Sequence, residues 1–195
     1  GTLANYLAGY YKRTGQRCAV HPVSRLDRDT FGVVLLAKNA YVHELMRRQH
    51  AGGGMEKTYH ALTCDIPDPP EGEIDAPIAR VPGDSLLREI RQDGKPASSR
   101  YRVLEARAGC AKLELSPLTG RTHQLRLHCA YLGCPILGDP QYGTPGSLTL
   151  SARYGIAGQQ LCAVRLRFLH PMTKKTVEIR AAGDVSLDFL ERTVV

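Results

Sequence analysis

Apolar side chains recur along the chain with two periods, and together they predict a mixture of helices and strands. Spacings of three and four residues predict helices over 2–13, 40–50 and 121–132. Asn39 is the predicted N-cap of the second helix, and Gly133 ends the third. Alternating or continuous apolar segments predict strands over 32–38, 58–64, 99–106, 111–116, 160–169 and 175–181.

The remaining segments carry breaker residues. Residues 65–98 are rich in Pro, Gly, Asp and Arg, which predicts turns and short strands, and 134–158 is predicted to be loop. A terminal helix after Asp184 carries Leu187, Phe189 and Leu190. Hairpins outnumber β-α-β units in this pattern. The predicted fold class is therefore α+β, with a mixed, mostly antiparallel sheet.

Composition points to an anionic partner. The 195 residues suit one domain, and 26 Lys and Arg against 19 Asp and Glu give a net charge of +7. Such an excess of basic residues favours nucleic acid. The six cysteines include no C-x-x-C pair, and no apolar run approaches the roughly 20 residues of a membrane span. We therefore expect a cytoplasmic protein without a membrane contact or a structural metal.

One cluster of charges precedes the apolar run at 33–37. Asp27 lies between Arg25 and Arg28, just before Gly32. Positive neighbours keep a carboxylate ionised, and an ionised carboxylate can act as a nucleophile or a general base. The alternative is a surface charge cluster that stabilises a turn. Asp29 is the competing candidate, although with Thr30 it could instead form an Asx-type turn.

A second polar cluster crowds the predicted start of the third helix. Helix N-termini attract anions, so this cluster could contact RNA, and the alternative is a solvated helix face. A guanidinium on the inner side of the helix needs a carboxylate partner, for which Asp27 is the natural candidate. The cluster comprises Arg121, Thr122, His123, Gln124 and Arg126, with Leu125 interleaved.

Two further features have competing interpretations. Tyr59 could stack on a base, although a strand tyrosine half in the core is the more common case. The segment from Gly52 to Thr58 has a passing likeness to a phosphate-binding loop, but Glu56 stands where that loop needs glycine. The histidines show no H-x-x-x-H spacing, which disfavours a metal site.

Four separated motifs resemble those of the RluA-type pseudouridine synthases, which isomerise uridine in RNA. The likeness covers nearly the whole chain, in the family's order. The first motif is Arg25-Leu26-Asp27-Arg28-Asp29-Thr30 with Gly32, and the second is Lys57-Thr58-Tyr59-His60-Ala61. The others are Gly94-Lys95-Pro96-Ala97 with Tyr101, and Gly120 to His128 with Gly138-Asp139-Pro140 and Tyr142-Gly143.

The resemblance implies specific roles. It makes Asp27 the catalytic aspartate, Tyr59 the tyrosine that stacks on the target base, and Arg126 the arginine paired with Asp27. Leu125 would wall the pocket and Arg25 would displace the target base. The other expected RNA contacts are Arg28, Arg121, His123 and Gln124.

The resemblance also implies the surroundings of the site. The fold would be a mixed sheet in two halves with flanking helices and a central catalytic cleft. Neither a metal nor an organic cofactor would be needed. The partner would be structured ribosomal or transfer RNA, bound by a monomer.

Two departures from the family pattern concern RNA contact: Ser24 stands where many members have histidine, and Phe31 where a small residue is common. We expect residues 1–195 to be a single catalytic domain without the family's upstream strand or its small RNA-binding domain. A non-catalytic RNA-binding relative is disfavoured because Asp27, Tyr59 and Arg126 are all present. A hydrolase or nuclease with a cation on Asp27 and Asp29 is disfavoured by the arginines in that cluster.

Overall fold

The computed structural model describes residues 2–84 and 86–191. The helices are α1 (Leu3–Arg13), α2 (Ala40–Ala51), α3 (Gln124–Tyr131) and α4 (Pro145–Arg153), with a 3-10 helix at Leu187–Glu191. The strands are β1 (His21–Pro22), β2 (Phe31–Gly32), β3 (Leu36–Ala37), β4 (Met55–Cys64), β5 (Glu71–Asp75), β6 (Ile78–Arg80), β7 (Arg88–Ile90), β8 (Ser98–Arg107), β9 (Cys110–Pro117), β10 (Leu161–Leu169) and β11 (Thr176–Arg180).

A seven-stranded sheet organises the molecule. Its path runs β11-β10-β4-β9-β8-β5, and β2 joins the sheet by pairing with β10. Every neighbouring pair is antiparallel except β2 with β10, which is parallel. The predicted hairpins β8–β9 and β10–β11 are present. The predicted α+β class with a mostly antiparallel sheet is therefore confirmed.

The sheet opens between β4 and β9. The ladder of β4 with β10 covers Met55 to Ala61, but the ladder with β9 begins only at Tyr59 opposite Leu115. Within the described part of the chain, residues 55–58 thus pair on one side only. The two strands separate only at this end of β4, since they stay paired from Tyr59 to Cys64.

Three helices, α1, α2 and α4, begin at side-chain caps. The Asn39 side chain accepts a hydrogen bond from the Val42 amide at 2.8 Å, as predicted for the start of α2. Thr144 caps α4 in the same way, with Pro145 in the first turn. The prediction of loop over 134–158 was therefore wrong for the residues of α4. The three prolines of that segment suggested loop, although Thr144 followed by Pro145 is a typical helix start.

The predicted strand over 32–38 was also wrong. Only Gly32 and the pair Leu36–Ala37 form strand, in two separate ladders. Val33 and Leu35 instead pack beside Met46 of α2 and the end of β10. The apolar run is thus explained by packing against a helix, a pattern that cannot be told from a buried strand by periodicity alone.

The C-terminal part differs from its prediction. Asp184 does not cap a helix: one carboxylate oxygen accepts from the adjacent Val185 amide, and the other pairs with Lys112 at 2.7 Å and His60 at 2.8 Å. A short 3-10 helix follows, and its Leu187 and Phe189 are buried. No helix among the described residues is long and apolar enough to cross a membrane.

A buried ion pair joins α3 to the segment after it. Two guanidinium nitrogens of Arg126 donate to the two carboxylate oxygens of Asp139 at 2.7 and 2.6 Å. The side chains are 4% and 1% exposed. Asp139 also accepts from the amides of Gln141 and Tyr142, and the Tyr142 ring lies 4.8 Å from the guanidinium carbon. The pair therefore fixes the 136–143 turn against the helix.

We expect Asp139→Asn to destabilise the fold by about 3–5 kcal/mol, because it leaves the buried Arg126 charge without a counter-ion. Urea unfolding of both proteins measures the difference. Glu178→Gln is the matched control, since Glu178 pairs with Arg180 at the surface and should change stability by about 1 kcal/mol or less. A similar small loss in both variants would contradict this role for the buried pair.

Candidate active site

The loop that carries Asp27 is held from beneath by β10 and the residues before it. The Gln159 side chain is 3% exposed, and its amide donates to the Arg28 carbonyl at 2.9 Å and to the Thr30 hydroxyl. Gly32 has a φ of +112°, and a Cβ there would lie 2.3 Å from the Ala163 carbonyl oxygen. Only glycine permits this approach. The loop consequently has a fixed position above the strand.

Asp27 itself lies half-buried at the turn of this loop. Its carbonyl accepts from the Thr30 amide at 3.1 Å, which closes the turn. Asp29, the competing candidate, has a φ of +66° and an exposed side chain that faces Arg28 at 3.8 Å. The geometry therefore favours Asp27 over Asp29 as the carboxylate directed inward.

A cleft of about 1030 Å³ lies between this loop, the open end of β4 and the start of α3. The structure thus brings together residues that are far apart in the chain. Six of the predicted site residues line it: Arg25, Asp27, Tyr59, Arg121, Gln124 and Leu125.

The other three predicted residues lie elsewhere. The Arg28 side chain is 95% exposed and points to solvent. His123 and Arg126 do not line the cleft, and their side chains contact Tyr142 and Asp139 respectively. Of the described residues, those that sequence reasoning missed as cleft residues include Lys57 and Arg165. Lys57 was named only as part of the second motif. No local sequence pattern identifies Arg165, because its position in the cleft follows from the pairing of β10 with β4.

Tyr59 forms the floor of the cleft, and its ring is 9% exposed. Burial raises the pKa of its phenol to about 12, and the negative charge of Asp27 adds to that shift. The phenol is therefore protonated at neutral pH. The same interaction shows that the Asp27 carboxylate lies within electrostatic reach of the tyrosine.

The cleft carries an excess of positive charge. Three of its charged side chains have partners of opposite sign within 4.0 Å: Arg47 with Glu44, Arg100 with Glu73, and Glu56 with Arg167. Among the described residues, four lining cations have no carboxylate within that distance, and Asp27 has no cation within it. A concave surface with this balance attracts anions. The four cations are Arg25, Lys57, Arg121 and Arg165.

Gln124 holds the rim of the cleft in place. Its carbonyl oxygen accepts from the Thr119 hydroxyl at 2.7 Å and the Arg121 amide at 2.9 Å. Its amide nitrogen donates to the Ser98 carbonyl at 2.9 Å and the Ser99 hydroxyl at 2.8 Å. These bonds use the two donors and both acceptor positions of the amide. Gln124 was predicted to contact RNA, but its polar atoms are engaged by the protein and position Arg121.

Arg121 has a second anchor. Its Nε donates to the Pro96 carbonyl at 2.9 Å, in the segment that precedes β8. Within the described chain, its two terminal nitrogens have no protein partner. With the backbone fixed by Gln124 and Nε fixed by Pro96, the outer edge of the guanidinium is free for an anionic ligand.

His123 adopts a φ of +57° as it begins α3. The Tyr142 hydroxyl accepts from the Arg88 amide at 3.1 Å and shares a second hydrogen bond with His123 Nδ1 at 2.7 Å. Burial lowers the pKa of His123; Asp27 opposes that shift and Arg126 adds to it. Burial against Tyr142 therefore disfavours the charged form of His123.

The prediction that Arg126 pairs with Asp27 was wrong. The guanidinium forms its bidentate pair with Asp139, and among the described residues no ion pair within 4.0 Å joins Arg126 to Asp27. The reason is local: Asp139 follows 13 residues later and is buried directly beside the helix. Asp139 stood in a stretch that was predicted to be loop, so it was not considered as a partner.

The described residues of the cleft do not form a cluster of metal ligands. No group of three or more His, Cys, Asp or Glu side chains among the described residues is placed to hold a metal ion. Among the described residues, the one cleft carboxylate without a protein counter-ion is Asp27, which lines the cleft together with Tyr59 and the four cations named above. This arrangement suits a reaction in which a single carboxylate acts on a substrate that is itself negatively charged.

Comparison with known proteins gives a consistent result. The family model described as RNA pseudouridylate synthase matches residues 2–131. An uncharacterized RNA pseudouridine synthase of Bacillus subtilis is 36% identical over 181 residues, 93% of this chain and 62% of that protein. Ribosomal large subunit pseudouridine synthase C of Vibrio cholerae is 35% identical over 166 residues, 85% of this chain and 52% of that protein.

A solved structure shows the same fold. Human RNA pseudouridylate synthase domain containing 1 superposes with a TM-score of 0.76 at 27% identity, covering 91% of this chain and 74% of that one. The chain spans 62% and 52% of the length of the two curated relatives named above. The motifs, the fold and these matches together show that the chain belongs to the RNA pseudouridine synthase family.

Proposed function

We propose that this protein converts specific uridines of RNA to pseudouridine, with Asp27 as the catalytic carboxylate. One observation carries the proposal: Asp27 and Tyr59 meet in a single cleft whose other unpaired charges are cations. A polyanionic substrate fits that charge balance. Membership of the family supplies the reaction class, an isomerisation.

The target nucleotide must first leave its helix. Unstacking a base costs a few kcal/mol, offset by pocket contacts and by arginine–phosphate pairs. Arg25 is exposed at the mouth of the cleft, two residues before Asp27, which suits a side chain that takes the place of the extruded base. Arg121 is anchored at the opposite rim and suits a phosphate contact.

The reaction that follows is an isomerisation, so the product has the same atoms as the substrate. Asp27 attacks or deprotonates the nucleoside, the glycosidic C–N bond breaks, and the uracil turns within the pocket. C5 of the base then bonds to the ribose, and any bond formed to Asp27 breaks in the same step. The proton of C5 is released to solvent and N1 takes up one proton, so the atoms balance. Tyr59 is protonated at neutral pH, which favours stacking on the base and hydrogen bonding over action as a phenolate. Leu125 and Tyr59 exclude water while the base is detached.

The same contacts and the relatives support a proposal for the substrate class. We propose structured ribosomal or transfer RNA, bound by a monomeric protein in the cytoplasm, and one relative is named for the ribosomal large subunit. The reaction as proposed uses Asp27 and needs neither a metal nor an organic cofactor. Mapping pseudouridine in cellular RNA with and without the gene tests the function and identifies the uridine.

Asp27→Asn should abolish isomerisation, with a loss of about 10³-fold or more in kcat, because it keeps the shape of the side chain and removes the nucleophile. Pseudouridine formation on the mapped RNA measures the loss. The matched control is Asp29→Asn, since asparagine accepts the left-handed backbone at that position and should retain activity. Near-wild-type turnover by Asp27→Asn would refute the assignment.

Arg25→Ala should impair turnover on folded RNA more than on a short single strand, where no stacked base has to be displaced. Initial rates on the two substrates give the comparison. Arg107→Ala is the control, because Arg107 lies away from the cleft and pairs with Glu191. Equal losses on both substrates would reduce Arg25 to an ordinary electrostatic contact.

Gln124→Met should raise KM for RNA by about tenfold with little change in kcat, because Arg121 loses its backbone anchor and then one charge-assisted contact. In an Arg121→Ala background, the same substitution should raise KM no further, since the group that it positions is gone. A purely structural role would instead give the same KM increase in both backgrounds, and would lower thermal stability without this coupling.

A further inference from the structure

Arg165 of β10 is a half-buried cation without a counter-ion. Its Nε and one terminal nitrogen both donate to the Thr58 hydroxyl, at 3.2 and 3.0 Å. A hydroxyl oxygen carries no charge, so these bonds orient the guanidinium without neutralising it. Among the described residues, no carboxylate lies within 4.0 Å of it. A partly desolvated charge in this state is stabilised by any anion that reaches it.

The carboxylates of Glu56 and Glu73 pair with other arginines. Arg167, two residues further along the same strand, pairs with Glu56 at 3.4 Å. Arg100, which also lines the cleft, pairs with Glu73 at 3.2 Å. Arg165 therefore lacks the carboxylate partner that Arg167 and Arg100 have. These two arginines are suitable controls, because one shares its strand and the other shares its cleft.

A β-bulge directs Arg165 to its position. Ala163 pairs with Tyr59, and the next pair of the ladder is Arg165 with Thr58. A regular ladder would place Val164 opposite Thr58, so the extra residue replaces an apolar side chain by a guanidinium. Bulges are enriched next to active sites, where they redirect a side chain.

The bulge lies where the sheet opens. Thr58 is the first residue of β4 beyond the ladder with β9, which begins at Tyr59. Neighbouring residues of a strand point to opposite faces, and Arg165 pairs with Thr58. Arg165 therefore lies on the face of the sheet opposite the Tyr59 side chain, and both residues line the cleft. Lys57 borders the open edge of β4 on the tyrosine side, and its partner there is His50 Nε2 at 3.2 Å.

We propose that Arg165, oriented by Thr58, binds a phosphate of the RNA strand where that strand leaves the cleft through the open edge of β4. This inference rests on the proposed function, since it assigns a second contact for the same substrate. Phosphate is the expected group because a guanidinium edge binds oxyanions through paired N–H donors, and RNA presents one at every nucleotide. The consecutive positions of Thr58 and Tyr59 place this contact beside the nucleotide that stacks on the tyrosine.

The test is the salt dependence of binding by the 195-residue protein to a single-stranded uridine decamer. Each phosphate contact contributes about −0.7 to the slope of log affinity against log salt concentration. Arg165→Met should make the slope less steep by about that amount and weaken binding about tenfold at low salt. Arg165→Lys should keep the slope, because it keeps the charge, and should lose part of the affinity. Arg167→Met should change neither, since its charge is compensated by Glu56.

An unchanged slope in a folded Arg165→Met protein would overturn the proposal. Thermal unfolding confirms the fold, and if the methionine variant does not fold, Arg165→Gln gives the same comparison. Pseudouridine formation by the wild type is measured separately. Absence of that activity would refute the proposed function, whereas the slopes decide the Arg165 contact in either case.

Discussion

The close approach of the Gly32 backbone to Ala163 is the constraint on which the candidate site depends. It attaches the loop of Asp27 to β10, and β10 is also the strand that pairs with β4 and Tyr59. Two groups 32 residues apart in the chain therefore share one rigid support. A side chain at residue 32 would meet the backbone of β10, so it would move Asp27 relative to Tyr59. Enzyme sites are sensitive to displacements of this kind, since about 1 Å of misplacement can cost about 100-fold in rate.

The opposite wall of the cleft is built on a different support. Arg126 and Asp139 hold the 136–143 turn beneath α3, and Gln124 holds the rim above it. The pair that the sequence suggested, Arg126 with Asp27, would have linked the two walls directly. In the structure the walls are joined through the sheet instead, so the carboxylate is free of a protein cation within 4.0 Å among the described residues. Its positive surroundings come from side chains that can bind substrate as well.

Much of the architecture was predictable because it is local. Residues close in the chain determine the helix cap at Asn39, the hairpins, and the spacing of apolar residues in α1 and α2. The cleft residues near the motifs were also identified, since Asp27, Tyr59 and Arg121 stand in recognisable segments. Arg165, Gln159 and the Asp139 partner were missed, because their roles follow from strand register and tertiary contact. The strand predicted over 32–38 failed for the same reason, as its apolar side chains pack against α2.

The distribution of unpaired charge connects these supports to the function. A protein selected for stability alone would be expected to give Arg165 and Lys57 carboxylate partners, as it gives them to Arg47, Arg100 and Arg167. Instead, burial lowers the pKa of Lys57 and its hydrogen-bond partner is a histidine, not an acid. A site that leaves cations uncompensated is less stable when empty and gains most from an anionic ligand. The strand opening, the bulge and Arg121 at the rim therefore act together. They maintain a positive cleft around one carboxylate without a counter-ion, Asp27, as the proposed reaction on an RNA nucleoside requires.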